Sequence, residues 1–278
     1  MGSYGPRHSS EGTLPRVRGR RPDARAHVDY GGVRDILHSP DGGRFEFPED
    51  SLALFDLYDR LHAATDGAVD PLVGRELELL VYDSAYSLTP APDEVRAAER
   101  ARGRVTWARD VRRDGRTVAT ERPLVIDVGA VGKGCLVDLL SALLRAAGHA
   151  DFVVDGSGDL RHAGERAIRV GLEHPFDPRR LIGVAHLRAQ ALCASGTSRR
   201  AWGEGLHHVL DARTGIPVSK VVATWVVADE TALADGLATA LFFTEPHRLA
   251  ESFAFAHVRM YSDGRAESSP NFMGELFT

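Results

Sequence analysis

Apolar residues recur at helical spacing in some stretches of the chain and run together in others, and this pattern predicts most of the elements. After Phe47, Pro48 and Asp50 precede a helix whose Leu54, Leu57, Tyr58 and Leu61 share one face and which ends near Gly67. Leu136, Leu139, Leu140, Leu143 and Leu144 fall at i, i+3, i+4, i+7 and i+8, predicting an amphipathic helix stopped by Gly148. A third helix is predicted from about Glu230 to Phe243, and another from about Asp93 to Arg102. Strands are predicted at 124–127, 152–155, 166–172, 181–187, 191–194, 221–228 and 253–262. RVTWAR (104–109) and TVAT (117–120), with Asp114-Gly115 between them, look like a hairpin. SGTSRRAW (195–202) predicts a short helix with Ser195 near its cap, and HHVLDARTGIPV (207–218) a short strand closed by a Thr-Gly-x-Pro turn. Antiparallel meanders with interspersed helices make an α+β architecture, not an alternating βαβ one.

Composition narrows the class. The 278 residues are 43% hydrophobic, which supplies an ample core, and the net charge of −5 gives no general pull toward nucleic acid or an anionic membrane. Residues 1–45 are rich in Gly, Pro, Arg and Ser and hold the basic run RVRGRRPDAR at 16–25. They read as a disordered arm, solvated or in touch with RNA or an acidic partner, ahead of a folded domain over 46–278. Two cysteines are too few for a disulfide framework or zinc cluster and suit a reducing compartment. No apolar run approaches the ~18 residues of a membrane span, and residues 1–30 lack the apolar core of a secretory signal, so a cytoplasmic chain is expected.

Candidate chemistry gathers at three places. Between the strand ending at Asp127 and the helix after it, Val128–Gly134 holds three glycines and Lys133. Glycines admit close backbone approach and the first N–H groups of a helix suit an anion, so a phosphate is the natural guest. The spacing is not that of a P-loop, since Cys135 stands where Ser or Thr is needed, and a plain strand-turn-helix connection is the alternative. The Gly156-Ser157-Gly158-Asp159 turn offers a second anion nest. In TALADGLATALFF (231–243), Asp235 and Thr239 share one face of an otherwise apolar helix. A carboxylate there needs a partner or a cation, and carboxylate plus hydroxyl suits Mg²⁺ better than zinc; the alternative is a solvent-facing polar stripe. Among twelve histidines, His208 stands out because it lies just before the Asp211-Ala-Arg-Thr214-Gly215 turn, where it can be base, acid or anchor. Lys133 and Arg213 are candidate phosphate partners.

Taken in order, GAVDPLVGRELELLVYD (67–83), DVGAVGKGCLVD (127–138), VVDGSGDLRHAG (153–164), ASGTSRRAW (194–202), HVLDARTGIPV (208–218) and ADGLATALFF (234–243) resemble the successive motifs of the ApbE family of FAD:protein FMN transferases. The resemblance implies a T-fold-like α+β fold and Mg²⁺-dependent cleavage of FAD. In it, FMN moves to a Ser or Thr hydroxyl of an acceptor flavoprotein and AMP leaves. It implies a metal held by the main chain of Ala130, by Asp235 and Thr239 and by the Ala238 carbonyl. FAD would be held by Ala68, Val69, Asp70, Asp127, Lys133, Thr214 and the neighbourhood of Leu210, and His208 would assist proton removal. The chain departs from the family pattern at its front, which lacks a Met-Gly-Thr-like strand, at Leu72, where Thr is commoner, and over Glu78–Leu80, where Trp is frequent. Hydrolysis of FAD to FMN and AMP, a divergent flavin reaction, and storage of FAD without catalysis are the competing functions.

Overall fold

The computed structural model describes residues 31–80, 94–95, 103–198, 201–202 and 206–277. Helices α1 (Gly31–Leu37) and α2 (Ser51–Ala64) flank strand β1 (Gly43–Glu46), which pairs with β3 (Thr117–Thr120), itself paired with β2 (Val111–Asp114). Between these lie a 3₁₀ turn (Pro71–Val73), α3 (Gly74–Leu79) and α4 (Trp107–Asp110). Then come α5 (Gly132–Ala146), β4 (Phe152–Asp155), β5 (Asp159–Ala163), β6 (Ile168–Glu173), β7 (Leu181–Leu187) and β8 (Ala191–Gly196). Short strands β9 (Ala201–Trp202), β10 (Leu206–His207), β11 (Leu210–Asp211) and β12 (Ile216–Pro217) lead to β13 (Val221–Ala228) and α6 (Thr231–Ala240). The chain closes with α7 (Pro246–Ala250), β14 (Ala256–Tyr261), β15 (Ala266–Ser268) and β16 (Gly274–Leu276).

β13 is buried along its whole length, which is why VVATWVVA runs apolar without alternating. It is central in the six-stranded sheet β15-β14-β13-β8-β5-β4, whose adjacent strands are all antiparallel. Strand alternation divides its side chains between two cores. Cys193 and Val226 face α2, α5 and α6 and pack with Leu61, Val131, Leu237 and Leu241. Leu192, Trp225 and Val258 face the other way, against Leu172 and Leu187 of the sheet β6-β7-β16. This mixed α+β arrangement is the expected one. Among the described residues no helix is long and apolar enough to cross a membrane.

Several local expectations need correction. The part of the N-terminal arm from residue 31 is folded, because Val33, Ile36 and Leu37 carry helical spacing and Ile36 is buried in the core. Residues 107–110 make a helical turn instead of a strand. Asp110 accepts the Thr106 N–H at 2.9 Å, and Trp107 stacks on Phe55 at 5.6 Å between ring centres. The hairpin is therefore 111–114 with 117–120. Leu124–Asp127 has no regular secondary structure and joins no sheet, although its Leu124 and Ile126 are buried; Asp127 gives its N–H to the Pro71 carbonyl at 2.7 Å. Ser195 and Gly196 extend β8 instead of capping a helix, 201–202 are strand, and 199–200 lie outside the described residues. Two further strands, β15 and β16, follow the strand read as the last. Of the helix expected over 93–102, only 94–95 are described, and they are helical.

The largest difference concerns α5. Its leucine stripe stays at the surface, with Leu136, Leu139 and Leu140 about two-fifths exposed and Leu143 67% exposed. The buried side is Gly134, Val137 and Ser141. A Cβ at Gly134 would stand 2.5 Å from the Thr231 carbonyl oxygen and 2.7 Å from the Ala232 Cα, so the small side of α5 is the side on which α6 can approach.

Candidate active site

Asp235 sits in α6 at 2% exposure, among Leu237, Ala238 and Leu241. Its Oδ2 accepts the Gly134 N–H at 3.0 Å, which ties α6 to the first turn of α5. Just beyond, a Cβ on Gly236 would meet Leu61 Cδ1 at 2.6 Å and Val131 Cγ2 at 3.3 Å, so α6 presses directly on the glycine-rich loop. Tyr58 lies under the same junction. Burial pushes its phenol well above the ordinary range, and the negative charges of Asp127 and Asp235 add to the effect. The Tyr58 hydroxyl reaches the Asp127 carbonyl at 3.5 Å, at the start of the same glycine-rich loop. Thr239 is half-buried one turn further along α6.

The donors here fit a hard cation: one buried carboxylate, a hydroxyl four residues on and main-chain carbonyls of the loop. Among the described residues no three His, Cys, Asp or Glu side chains gather as a metal-binding group. The Ala238 carbonyl already accepts the hydroxyl of the buried Thr224 at 2.6 Å, a bond that fastens α6 to β13.

The anion-binding candidates divide. Asp127 folds its loop by accepting the Gly129 N–H on Oδ1 at 2.8 Å. Lys133, partly exposed, forms an ion pair with the fully buried Asp159 of β5. The 156–158 nest is occupied from within the chain, because Asp155 Oδ1 accepts the N–H groups of Ser157 and Gly158 at 2.9 and 3.2 Å. That turn therefore offers no free anion nest, a correction that the Asp preceding the glycine explains.

A second group of residues converges from distant parts of the chain. The Ala212 N–H donates to the Ala68 carbonyl at 3.1 Å, joining the 211–215 turn to the 68–70 stretch. Arg104 donates to the Ala212 carbonyl at 3.0 Å and to that of Thr214, and pairs with Glu76. Arg213 is held by Asp211, whose carboxylate raises its pKa. Ala68, Val69 and Leu210 are buried. The Asp70 carboxylate works inside the fold, accepting from Leu72 N–H at 2.8 Å and Trp107 N–H at 2.9 Å and lying 3.3 Å from His62. Thr214 caps its own turn, its Oγ1 accepting the Ile216 N–H at 3.3 Å.

The two adjacent histidines have different surroundings. His207 is buried; its Nδ1 accepts the Val209 N–H at 3.2 Å, so its Nε2–H donates to the Val218 carbonyl at 2.7 Å. Burial lowers its pKa, which keeps it neutral. His208 is half-buried, next in line before β11. Sequence reasoning singled out His208 and passed over His207, Arg104 and Asp138; it named Asp159 only as part of a turn and Tyr58 only on an apolar helix face. For His207 a signal existed, since neighbours in extended chain face opposite ways.

A model of the ApbE family matches residues 33–260. The FAD:protein FMN transferase of Rhodobacter capsulatus is 31% identical over 231 residues, covering 78% of this chain and 43% of its own length. That of Vibrio cholerae is 28% identical over 194 residues, 66% of this chain and 57% of its own. The chain thus spans about half the length of these relatives. The structure of the ApbE protein of Thermotoga maritima superposes with a TM-score of 0.73 at 26% identity, over 86% of this chain and 81% of that one. The flavin transferase ApbE of Vibrio cholerae gives 0.71 at 25%, over 86% and 80%. With its motifs in order, its α+β fold shared with these structures and most of its length matched, the chain belongs to the ApbE family.

Proposed function

We propose that this protein is an enzyme that transfers the FMN part of FAD, with Mg²⁺, to a Ser or Thr hydroxyl of an acceptor flavoprotein and releases AMP. The observation that carries the reading is the buried Asp235, bonded by the Gly134 amide in the first turn of α5 and followed one turn later by Thr239. A carboxylate kept at that depth is costly without a cation to face. Asp235, Thr239, the main chain of Ala130 and the Ala238 carbonyl would hold the metal. Bound there, Mg²⁺ supplies neutralisation of pyrophosphate charge, the chief need of phosphoryl-type transfer.

FAD lies along Asp127, Lys133 and the joined 68–70 and 210–214 segments. Because Asp70 spends its carboxylate on the fold, that stretch meets the ligand through its backbone, as do Ala68, Val69 and Leu210; Thr214 shapes the turn. His208 takes the proton of the acceptor hydroxyl while the hydroxyl oxygen bonds to the FMN phosphorus. The phosphorus–oxygen bond to the AMP phosphate then breaks and AMP departs. The free thiols Cys135 and Cys193 suit reaction in the cytoplasm.

The test is incubation with FAD, Mg²⁺ and a Ser/Thr-bearing acceptor domain, followed by mass spectrometry. An FMN adduct with equimolar AMP supports the reading. Free FMN with AMP and no adduct assigns the enzyme to hydrolysis instead, and unchanged FAD leaves a binding protein.

A further inference from the structure

The first turn of α6 is capped from another helix. Its own N-cap residue, Glu230, makes no side-chain cap bond. Instead Asp138, one turn beyond Gly134 on α5, receives the Thr231 N–H on Oδ1 at 3.0 Å and the Ala232 N–H on Oδ2 at 2.8 Å. Both oxygens are used, one on each of two amides that the helix leaves unpaired. The charge also lies at the positive end of α6. The Thr231 carbonyl, facing Gly134, accepts the Cys193 thiol of β8 at 3.4 Å. Four residues after Thr231 comes Asp235, and its carboxylate is bonded back to α5 at Gly134. The two helices are therefore pinned twice, at residues 134 and 138 on one and at 235 and 231–232 on the other.

We propose that Asp138 is a positioning residue for the cation site. It fixes the axial and rotational setting of α6 so that Asp235 and Thr239 stay aimed at the Ala130 loop. This rests on the reading of α6 as the metal-bearing helix. Asp138 touches neither cation nor flavin in this account and acts only through the helix it caps. Asparagine in its place keeps the shape but offers one acceptor where two amides need one each, while alanine offers none.

The experiment titrates Mn²⁺ into the parent protein and into Asp138→Asn, Asp138→Ala and Ser141→Ala variants, followed by electron paramagnetic resonance, with amide exchange at Thr231 and Ala232 measured in parallel. Ser141 lies on the same buried side of α5 but bonds only within its own helix, to the Val137 carbonyl at 2.7 Å, and serves as the packing control. Asp138→Asn is expected to weaken Mn²⁺ binding ~10-fold or more, and Asp138→Ala further, with faster exchange at both amides. FAD affinity without metal and turnover at saturating Mg²⁺ should stay near the parent values. Ser141→Ala should leave Mn²⁺ affinity and exchange at both amides where they were. Parent-like Mn²⁺ affinity in Asp138→Asn overturns the proposal, as does unchanged exchange at both amides or an equal loss in Ser141→Ala. If the parent itself binds no Mn²⁺, the metal-helix reading has failed and this proposal with it, a failure visible in the parent and not in the variants.

Discussion

Replacing each of the two adjacent histidines separates anchoring from chemistry. His207→Phe fills the buried space but removes an acceptor from the Val209 N–H and a donor from the Val218 carbonyl. Each buried group left without its partner costs ~1–3 kcal/mol, so the pair predicts a loss of about 2–6 kcal/mol. The lower end applies if water reaches the Val218 side. His208→Asn, at a half-buried position, should cost under about 1 kcal/mol. Turnover should run the other way: His208→Asn lowers the saturated transfer rate by ~10²–10⁴ with FAD affinity little changed, as loss of a general base does. Urea unfolding at pH 7.5 gives the stabilities, provided the slopes of the transitions match, and single-turnover transfer gives the rates. A His207→Phe protein as stable as the parent, or a His208→Asn protein that loses affinity and recovers full rate at saturation, would refute the division of roles.

Three further outcomes are expected. Asp235→Ala should abolish Mn²⁺ binding seen by electron paramagnetic resonance while the chain still unfolds cooperatively; unaltered binding would move the cation elsewhere. Burial, with the nearby Arg259 charge, lowers the His257 pKa from 6.5 to about 4, so the unfolded chain binds the extra proton between those values and stability falls as pH drops through them. The loss from this group is about 2 kcal/mol at pH 5, and His257→Phe should flatten the stability profile by that amount; a profile equally steep in the variant would contradict it. Burial also pushes the Cys135 thiol up to about 12, so iodoacetamide should leave it unmodified in native protein at pH 7.5 and alkylate it in urea, with mass spectrometry as the readout.

Where the sequence was legible, a long regular run decided the matter. β13 and α2 lie where their apolar patterns put them, and α6 forms where its apolar run predicts, with Asp235 buried in it. The failures share a physical cause. Leu124–Asp127 has the composition of a strand but receives its backbone partner from Pro71, which no local pattern encodes. The leucine periodicity of α5 correctly marked a helix and misled about its buried side, because Gly134 and not leucine side-chain area determines where α6 can approach. Asp138 was invisible for the same reason: its two amide partners lie 93 and 94 positions away.

The Gly134–Asp235 bond spans 101 positions, and the described strands between its ends belong to four different sheets. Contacts of such sequence separation close late in folding, after the chain entropy of a long loop has been overcome. The proposed cation corner therefore has no precursor in a partly folded chain, where α5 without α6 holds only loop carbonyls. Divalent ion would accordingly leave the folding rate nearly untouched and slow unfolding, lengthening the lifetime of the finished protein in proportion to how far the ion concentration exceeds its dissociation constant.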